Sequence, residues 1–231
     1  MESTYKNVSF FFLAILAVIV FGFFKTYFSL ISQFQSINTA IHVHAVSYLI
    51  WFAMLILQPI LIKKGKIDWH GQVGKLSYFL VPIIVLSTYL VAKNQLDNDL
   101  LKFPKFVALG TFITFNFIQL FLFVLFYILA IVNKKNSVYH VRYMIVTSLV
   151  LLDPGLARIL IIWGGLPFIQ GVLCNFVLTD LILVALIIYD WLKTKSIHKP
   201  YILSLALLII THLIWYYLPT TMFWKALCEK I

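Results

Sequence analysis

The chain has 231 residues, of which 62% are hydrophobic and only 11% are charged, and its mean hydropathy is +0.98. A soluble domain is about half apolar and about a quarter charged, so no soluble core could bury this much apolar surface. The composition excludes a soluble globular protein and predicts a protein surrounded by the lipid bilayer. The formal net charge of +10 is scattered in ones, twos and threes between apolar runs, which disfavours a nucleic-acid-binding surface.

Seven apolar runs alternate with polar breaks, and a spanning helix needs ~20 apolar residues. The predicted spans are, in chain order, 8–30, 42–62, 73–92, 105–132, 140–163, 166–190 and 200–218. No small-residue cleavage site follows the first run, so we expect a retained helix there and not a signal peptide. The sequence therefore predicts an all-α fold, a polytopic transmembrane helical bundle that forms one domain over residues 1–231.

The polar segments between the spans carry unequal numbers of basic residues. With the N-terminus in the cytoplasm, eleven Lys and Arg residues fall on the inner side and six on the outer side. The inner set is Lys6, Lys63, Lys64, Lys66, Lys75, Lys134, Lys135, Arg142, Lys193, Lys195 and Lys199, and the outer set is Lys25, Lys93, Lys102, Lys105, Lys225 and Lys230. The positive-inside rule then predicts a multi-pass protein of the cytoplasmic (inner) membrane, with the N-terminus inside and the C-terminus outside.

Four histidines fall into two pairs of matching depth. His44 opens the second span and His212 lies towards the outer end of the seventh, whereas His70 and His140 each follow an aromatic residue at an inner span start. A b-type haem needs two neutral imidazoles at matching depth on facing helices, and histidine is also a common ligand of transition metals. These four histidines are therefore predicted to bind haem b or a transition metal. An alternative for His70 and His140 is a solvated span end without a role.

Five other polar side chains are predicted to line the interior of the bundle, because ionisable groups within spans usually face a cavity or one another. They are Gln58, Gln119, Asp153, Arg158 and Asp180. His44, Trp51 and Gln58 follow one another at seven-residue spacing, so they share one face of the second span. We expect that face to point into the bundle, because lipid would leave the Gln58 amide without hydrogen bonds.

The sequence Asp153-Pro154-Gly155 predicts a break or kink in the fifth span. Proline removes one backbone hydrogen bond, and aspartate is a favourable N-cap for a helix that restarts at the proline. Such a half-helix end can build an ion site, although Asp153 could equally serve only as the cap. Arg158 lies roughly 140° further around the helix, so its partner is expected on another span, and Asp180 is the nearest uncommitted acid.

Three classes of function fit these residues. A haem- or metal-binding redox protein would use the histidine pairs, and a transporter of a small molecule, ion or proton would use the interior acids and Arg158. In a non-catalytic accessory subunit the polar residues would only hold helices together, and we would then expect a membrane-complex partner or a homo-oligomer. A hydrolase is disfavoured because no nucleophile elbow occurs, and enzymatic activity is otherwise left open.

One set of residues resembles a family of bacterial seven-helix membrane proteins to which no activity is assigned. The set is His42-Val-His44, Trp51, Gln58, His70 with Gly74, His140-Val-Arg142 with Met144, and Asp180. The resemblance covers most of the chain from the second span to the seventh, and the chain departs from the pattern at Gly71, where the family has an arginine. A histidine that opens a span after a short basic loop is also distantly similar to cytochrome b561-like proteins. Those proteins hold two haems near opposite membrane faces, so this likeness implies a redox function.

Overall fold

The structure is a computed structural model that describes residues 5–230, and at residues 33–36 it describes the backbone alone. Helices make up 87% of the structure. No strand occurs in the described residues. Within a bilayer every backbone polar group must be satisfied inside the protein, and an apolar helix does this within its own segment. The predicted all-α fold is confirmed.

Eight helices follow one another in residues 5–230. They are α1 (Val8–Phe23), α2 (Thr39–Lys63), α3 (Ile67–Leu100), α4 (Lys105–Val132), α5 (Ser137–Trp163), α6 (Phe168–Thr194), α7 (Lys199–Tyr217) and α8 (Met222–Lys230). Single 3₁₀ segments cover Phe28–Ser36 and Leu218–Thr220. Two of the long helices contain a π-helical stretch, α4 at Phe112–Phe117 and α5 at Ile159–Trp163.

Six of these helices, α2 to α7, are long and apolar enough to cross a membrane. Helix α1 is also apolar but has 16 residues. At 1.5 Å per residue such a helix is about 24 Å long, which is less than the ~30 Å thickness of the hydrocarbon core. The membrane-like bundle is thus confirmed for six helices, whereas the seventh crossing and the orientation stay predictions.

The first predicted span, 8–30, is too long. Helix α1 ends at Phe23, and the chain turns before the 3₁₀ segment. The Tyr27 hydroxyl lies 2.9 Å from His42 Nδ1, which fastens this turn to the start of α2. Burial raises the pKa of Tyr27, so the phenol keeps the proton that it can donate to this imidazole. Hydropathy could not locate the end of α1, because aromatic residues continue on both sides of Lys25 and Thr26.

Two further differences concern polar helical residues. Helix α3 extends well beyond the predicted span 73–92 at both ends, because a helix continues through polar residues once it leaves the apolar layer. Helix α8 lies outside all predicted spans, since it is short and mixed in polarity. Its Trp224 is buried, and the indole N–H donates to the Phe106 carbonyl at 2.8 Å. This contact fastens α8 to α4.

The predicted break at Asp153 is wrong. Helix α5 is α-helical from Ser137 to Arg158 with Pro154 inside it, and it becomes π-helical only from Ile159. Asp153 therefore caps no restarted helix. Proline costs the helix one hydrogen bond, and packing within a membrane bundle tolerates that loss.

Helix α5 is the central helix of the bundle. Half of its most apolar 18-residue stretch is buried inside the protein, against a third or less for the other five candidate spans. Helix α1 crosses it at Gly22 and Gly155, where a Cβ on Gly22 would lie only 2.1 Å from the Gly155 carbonyl oxygen. The two backbones can approach this closely because neither residue has a side chain.

A buried polar cluster joins the chain start to α5, α6 and α7. The Arg142 guanidinium donates to both carboxylate oxygens of Asp190, at 2.5 and 2.8 Å, and both side chains are 1% exposed or less. The Tyr5 hydroxyl donates to Asp190 at 2.6 Å and lies 2.9 Å from the Tyr201 hydroxyl. Burial raises the pKa of Tyr5, so its hydroxyl keeps the proton that it donates.

This cluster changes the charge count that underlies the predicted orientation. Arg142 belongs to the inner set of basic residues, yet it is fully buried inside α5 and paired. Removing Arg142 from the inner set leaves ten basic residues, eleven minus one, against six on the outer side. The predicted direction of insertion is unchanged.

Candidate functional site

A cavity of about 620 Å³ lies between helices α1 to α6. We call the face of the bundle that carries Lys63, Lys64, Lys66, Lys134 and Lys135 the lysine face. The cavity lies in the half away from the lysine face, because its lining comes from the first half of α2 and the last half of α5. Its volume falls in the ~300–1,000 Å³ range of small-molecule sites.

The cavity walls are mainly apolar. Phenylalanines from several helices line it, among them Phe23, Phe52 and Phe123. Both π-helical stretches contribute, through Phe115 and Asn116 on α4 and through two isoleucines on α5. A π-helical turn shifts the side chains that follow it around the helix axis, and such turns are frequent at functional sites.

Asp153 is held at this cavity by two neighbouring helices. The Thr179 hydroxyl on α6 donates to Asp153 Oδ1 at 2.5 Å, and the Gln119 amide on α4 donates to Oδ2 at 3.0 Å. Asp153 is 2% exposed. Both carboxylate oxygens of Asp153 thus have a hydrogen-bond donor, and Gln119 and Asp153 meet inside the bundle.

Arg158 lines the same cavity without an acidic partner. Its guanidinium donates to the Pro154 carbonyl of its own helix at 3.0 Å and lies 4.1 Å from the centre of the Phe23 ring. Among residues 5–230, no carboxylate lies within salt-bridge distance of Arg158. Its expected partner, Asp180, instead pairs with His212, whose Nδ1 is 3.2 Å away. The expectation of an acidic partner for Arg158 is therefore wrong for the described residues.

His44 faces the cavity from α2. Its Nδ1 lies 3.4 Å from the Thr88 hydroxyl on α3, and its ring packs edge-on against Tyr48. The Tyr48 hydroxyl lies 3.0 Å from the same Thr88 oxygen. His44 and Arg158 thus line the same cavity from α2 and α5.

Two amides at the cavity have buried atoms without partners. Asn175 Oδ1 and Asn116 Nδ2 form no hydrogen bond with any described residue, and Asn175 is only 1% exposed. An unpaired buried polar atom costs ~1–3 kcal/mol, so such atoms usually have a bound molecule or water as partner. Neither residue is among the predicted site residues, because a lone asparagine in an apolar run carries no recognisable pattern.

A second, much smaller cavity of about 10 Å³ lies between Gln119, Asp153 and His212. Its volume is roughly that of one water molecule. His212 also stacks on Phe176, with 3.9 Å between ring centres, while it pairs with Asp180.

The histidine pair of the lysine face is close enough to interact electrostatically. His140 Nδ1 donates to the Ala130 carbonyl at 2.8 Å, which leaves Nε2 free, as in a metal-ligating imidazole. With the Gln58 amide oriented so that both of its atoms find a partner, its nitrogen donates to His70 Nδ1 and its oxygen accepts from the Gly74 N–H at 3.0 Å. The neutral His70 ring then carries its proton on Nε2. The His140 imidazole can therefore act as a haem or metal ligand through Nε2. The His70 imidazole can do so only if the Gln58 amide rotates so that its oxygen, and not its nitrogen, faces His70 Nδ1.

The other predicted pair has separate partners on separate helices. His44 contacts Thr88 on α3, whereas His212 contacts Asp180 on α6. Within residues 5–230, no group of three His, Cys, Asp or Glu side chains is arranged to hold a metal ion. The haem or metal prediction for the four histidines stays a prediction.

Comparison with known proteins identifies no relative. No family model, no curated protein and no solved structure matches the chain. The two family resemblances therefore stay predictions. Evidence on function comes from the large cavity and the residues that line it.

Proposed function

We propose that this chain is a multi-pass membrane protein that binds a small amphipathic molecule in the 620 Å³ cavity. The observation that carries this proposal is the pair of unpartnered amide atoms, Asn175 Oδ1 and Asn116 Nδ2, inside largely apolar walls. Ligand sites typically combine apolar walls with a few polar groups that orient the ligand. The cavity meets this description.

The loop lysines support a location for this site. With the N-terminus inside and α1 as a seventh crossing, the cavity lies in the outer half of the cytoplasmic membrane. An amphipathic ligand could then enter from the outer leaflet. Binding of this kind is common to a transporter, which releases the ligand elsewhere, and to an accessory subunit, which retains it.

The proposal is tested by ligand binding to the detergent-purified protein. Radiolabelled palmitic acid and hexadecanol serve as probes, and we expect saturable binding of at least one of them. The variant Ala157→Phe fills the cavity that Ala157 lines, so it should abolish that binding. The control Ala185→Phe adds the same ring at an exposed position of α6 and should bind like the original chain. Absence of saturable binding, or unchanged binding by Ala157→Phe, would contradict the proposal.

A redox function is the second candidate. It is favoured by the free Nε2 of His140 beside His70, since a bound haem or metal would take an imidazole oriented by such a hydrogen bond. Its test is the absorption spectrum and metal content of the purified protein. A Soret band that is lost in His140→Ala would support it. A colourless protein without stoichiometric metal would exclude it.

A further inference from the structure

Arg158 brings a positive charge to the cavity that no described residue neutralises. A guanidinium at membrane depth is expensive unless it is paired or solvated. The partners of Arg158 in the structure are a backbone carbonyl and an aromatic ring, and neither carries a formal negative charge. Arg158 therefore has no ion-pair partner among residues 5–230.

The other charged and titratable groups near Arg158 do not supply that counter-charge. Asp153 lies on the same helix and lines the same cavity, but its carboxylate is not within salt-bridge distance of Arg158, and its two oxygens accept hydrogen bonds from Thr179 and Gln119. His44, on α2, can contribute only a neutral or positive ring. Lys25 follows α1, and its ammonium lies 4.0 Å from the centre of the Trp163 ring. The free hydrogen-bonding groups closest in kind to an anion site are thus the Arg158 guanidinium and the Asn116 Nδ2 donor.

We propose that the ligand of this cavity is an acidic amphiphile, whose carboxylate or phosphate head binds the Arg158 guanidinium. This inference rests on the ligand-binding function proposed above and adds the chemistry of the ligand. A guanidinium matches both head groups because it can donate two parallel hydrogen bonds to two oxygens. Asn116 Nδ2 is a further unpaired donor of the same cavity, and the phenylalanine-lined walls suit an alkyl chain.

The first experiment compares the binding of an acidic ligand with the binding of its uncharged methyl ester. Palmitic acid should bind at least about tenfold more tightly than methyl palmitate, because a hydrogen bond to a charged group contributes more than one to a neutral group. In Arg158→Gln the affinity for palmitic acid should fall to that for the ester, and ester binding should persist, which shows that the variant is folded. Arg158→Lys should retain part of the preference.

The matched control is Lys225→Gln, which removes a positive charge that lies over the Phe106 ring near α8. It should leave the preference for the acid unchanged. If the acid and the ester bind equally to the original chain and to Arg158→Gln, the acidic head is disproved while the binding function stands. If neither probe binds to the original chain, the binding function itself fails.

A competition experiment distinguishes the sources of the acidic group. Displacement of labelled palmitic acid by lysophosphatidic acid indicates a phosphate head, and resistance to it indicates a carboxylate head. Both outcomes support the acidic amphiphile. Equal displacement by inorganic phosphate alone would overturn it, because the alkyl chain would then contribute nothing.

Discussion

Arg142 and Asp190 form an ion pair that water does not reach. Two ions cost much to bury, and their mutual attraction offsets that cost only while both are present. The Tyr5 hydroxyl adds a third donor to the same carboxylate. The pair therefore stabilises the packing of α5 on α6. Removing either side chain also removes the attraction that offsets the cost of burying the other one.

We predict that Arg142→Gln or Asp190→Asn lowers the free energy of unfolding by about 3–5 kcal/mol, because each removes one partner of a buried ion pair. Tyr5→Phe should cost only about 1 kcal/mol, since it removes one hydrogen bond. Denaturant titration of the detergent-purified protein measures these changes. The exposed Lys193→Gln is the control and should have little effect. A small loss in both charge variants would mean that the pair is not buried in the folded protein.

Single residues also show what the sequence could and could not indicate. Gln58 is predicted to face the interior, because its amide needs partners that lipid lacks. Its actual partners are His70 and the backbone N–H of Gly74, which are reached only through the packing of α2 on α3. The need for a partner follows from chemistry, whereas the identity of the partner follows from how helices pack, and one sequence does not contain that information.

At the scale of helices, the crossing of α1 and α5 is built on two glycines. A Cβ on Gly22 would meet the Gly155 carbonyl oxygen at 2.1 Å, and a Cβ on Gly155 would meet Ile19 Cα at 2.8 Å. Both contacts are with backbone or near-backbone atoms that cannot rotate away. Helix α1 must therefore move if either residue gains a methyl group.

We predict that Gly22→Ala and Gly155→Ala each lower the free energy of unfolding by about 1–3 kcal/mol through overpacking. Size-exclusion chromatography and thermal unfolding of the purified variants measure the effect. Gly71→Ala is the matched control, since a Cβ there has no other atom within 4 Å. Unchanged stability in both crossing variants would show that α1 does not pack on α5 at this position.

Hydropathy predicted the six long helices α2 to α7 in their order, because an apolar run of sufficient length has few other solutions in a bilayer. The first predicted span contains only the 16-residue helix α1, so a seventh crossing stays a prediction. It did not predict where the helices end. Helix α3 continues through the polar residues beyond position 92, and α1 stops inside an apolar run at Phe23. The predicted break at Asp153 was wrong because a proline weakens a packed helix without ending it. The cavity, where Asn175 Oδ1 has no hydrogen-bond partner, could not be predicted because it forms only between packed helices.

At the scale of the whole molecule, the orientation can be measured directly. In a background of Cys174→Ser and Cys228→Ala, we predict that Lys102→Cys reacts with a membrane-impermeant maleimide in intact cells. Lys64→Cys should react only after the membrane is opened, because the basic loops are expected inside. Both positions are exposed, so access to the reagent depends on sidedness alone. The reverse labelling pattern would place the cavity in the inner half of the membrane.

The Tyr5 hydroxyl has partners that lie 185 and 196 residues further along the chain. During synthesis, α1 is made long before Asp190 and Tyr201, and Arg142 is also made before the acid that neutralises it. The cluster can therefore close only after residue 201 has left the ribosome. Tyr5, the earliest described residue, is thus among the last to complete its native contacts, and a chain cut short before α6 lacks both side-chain partners of the Tyr5 hydroxyl.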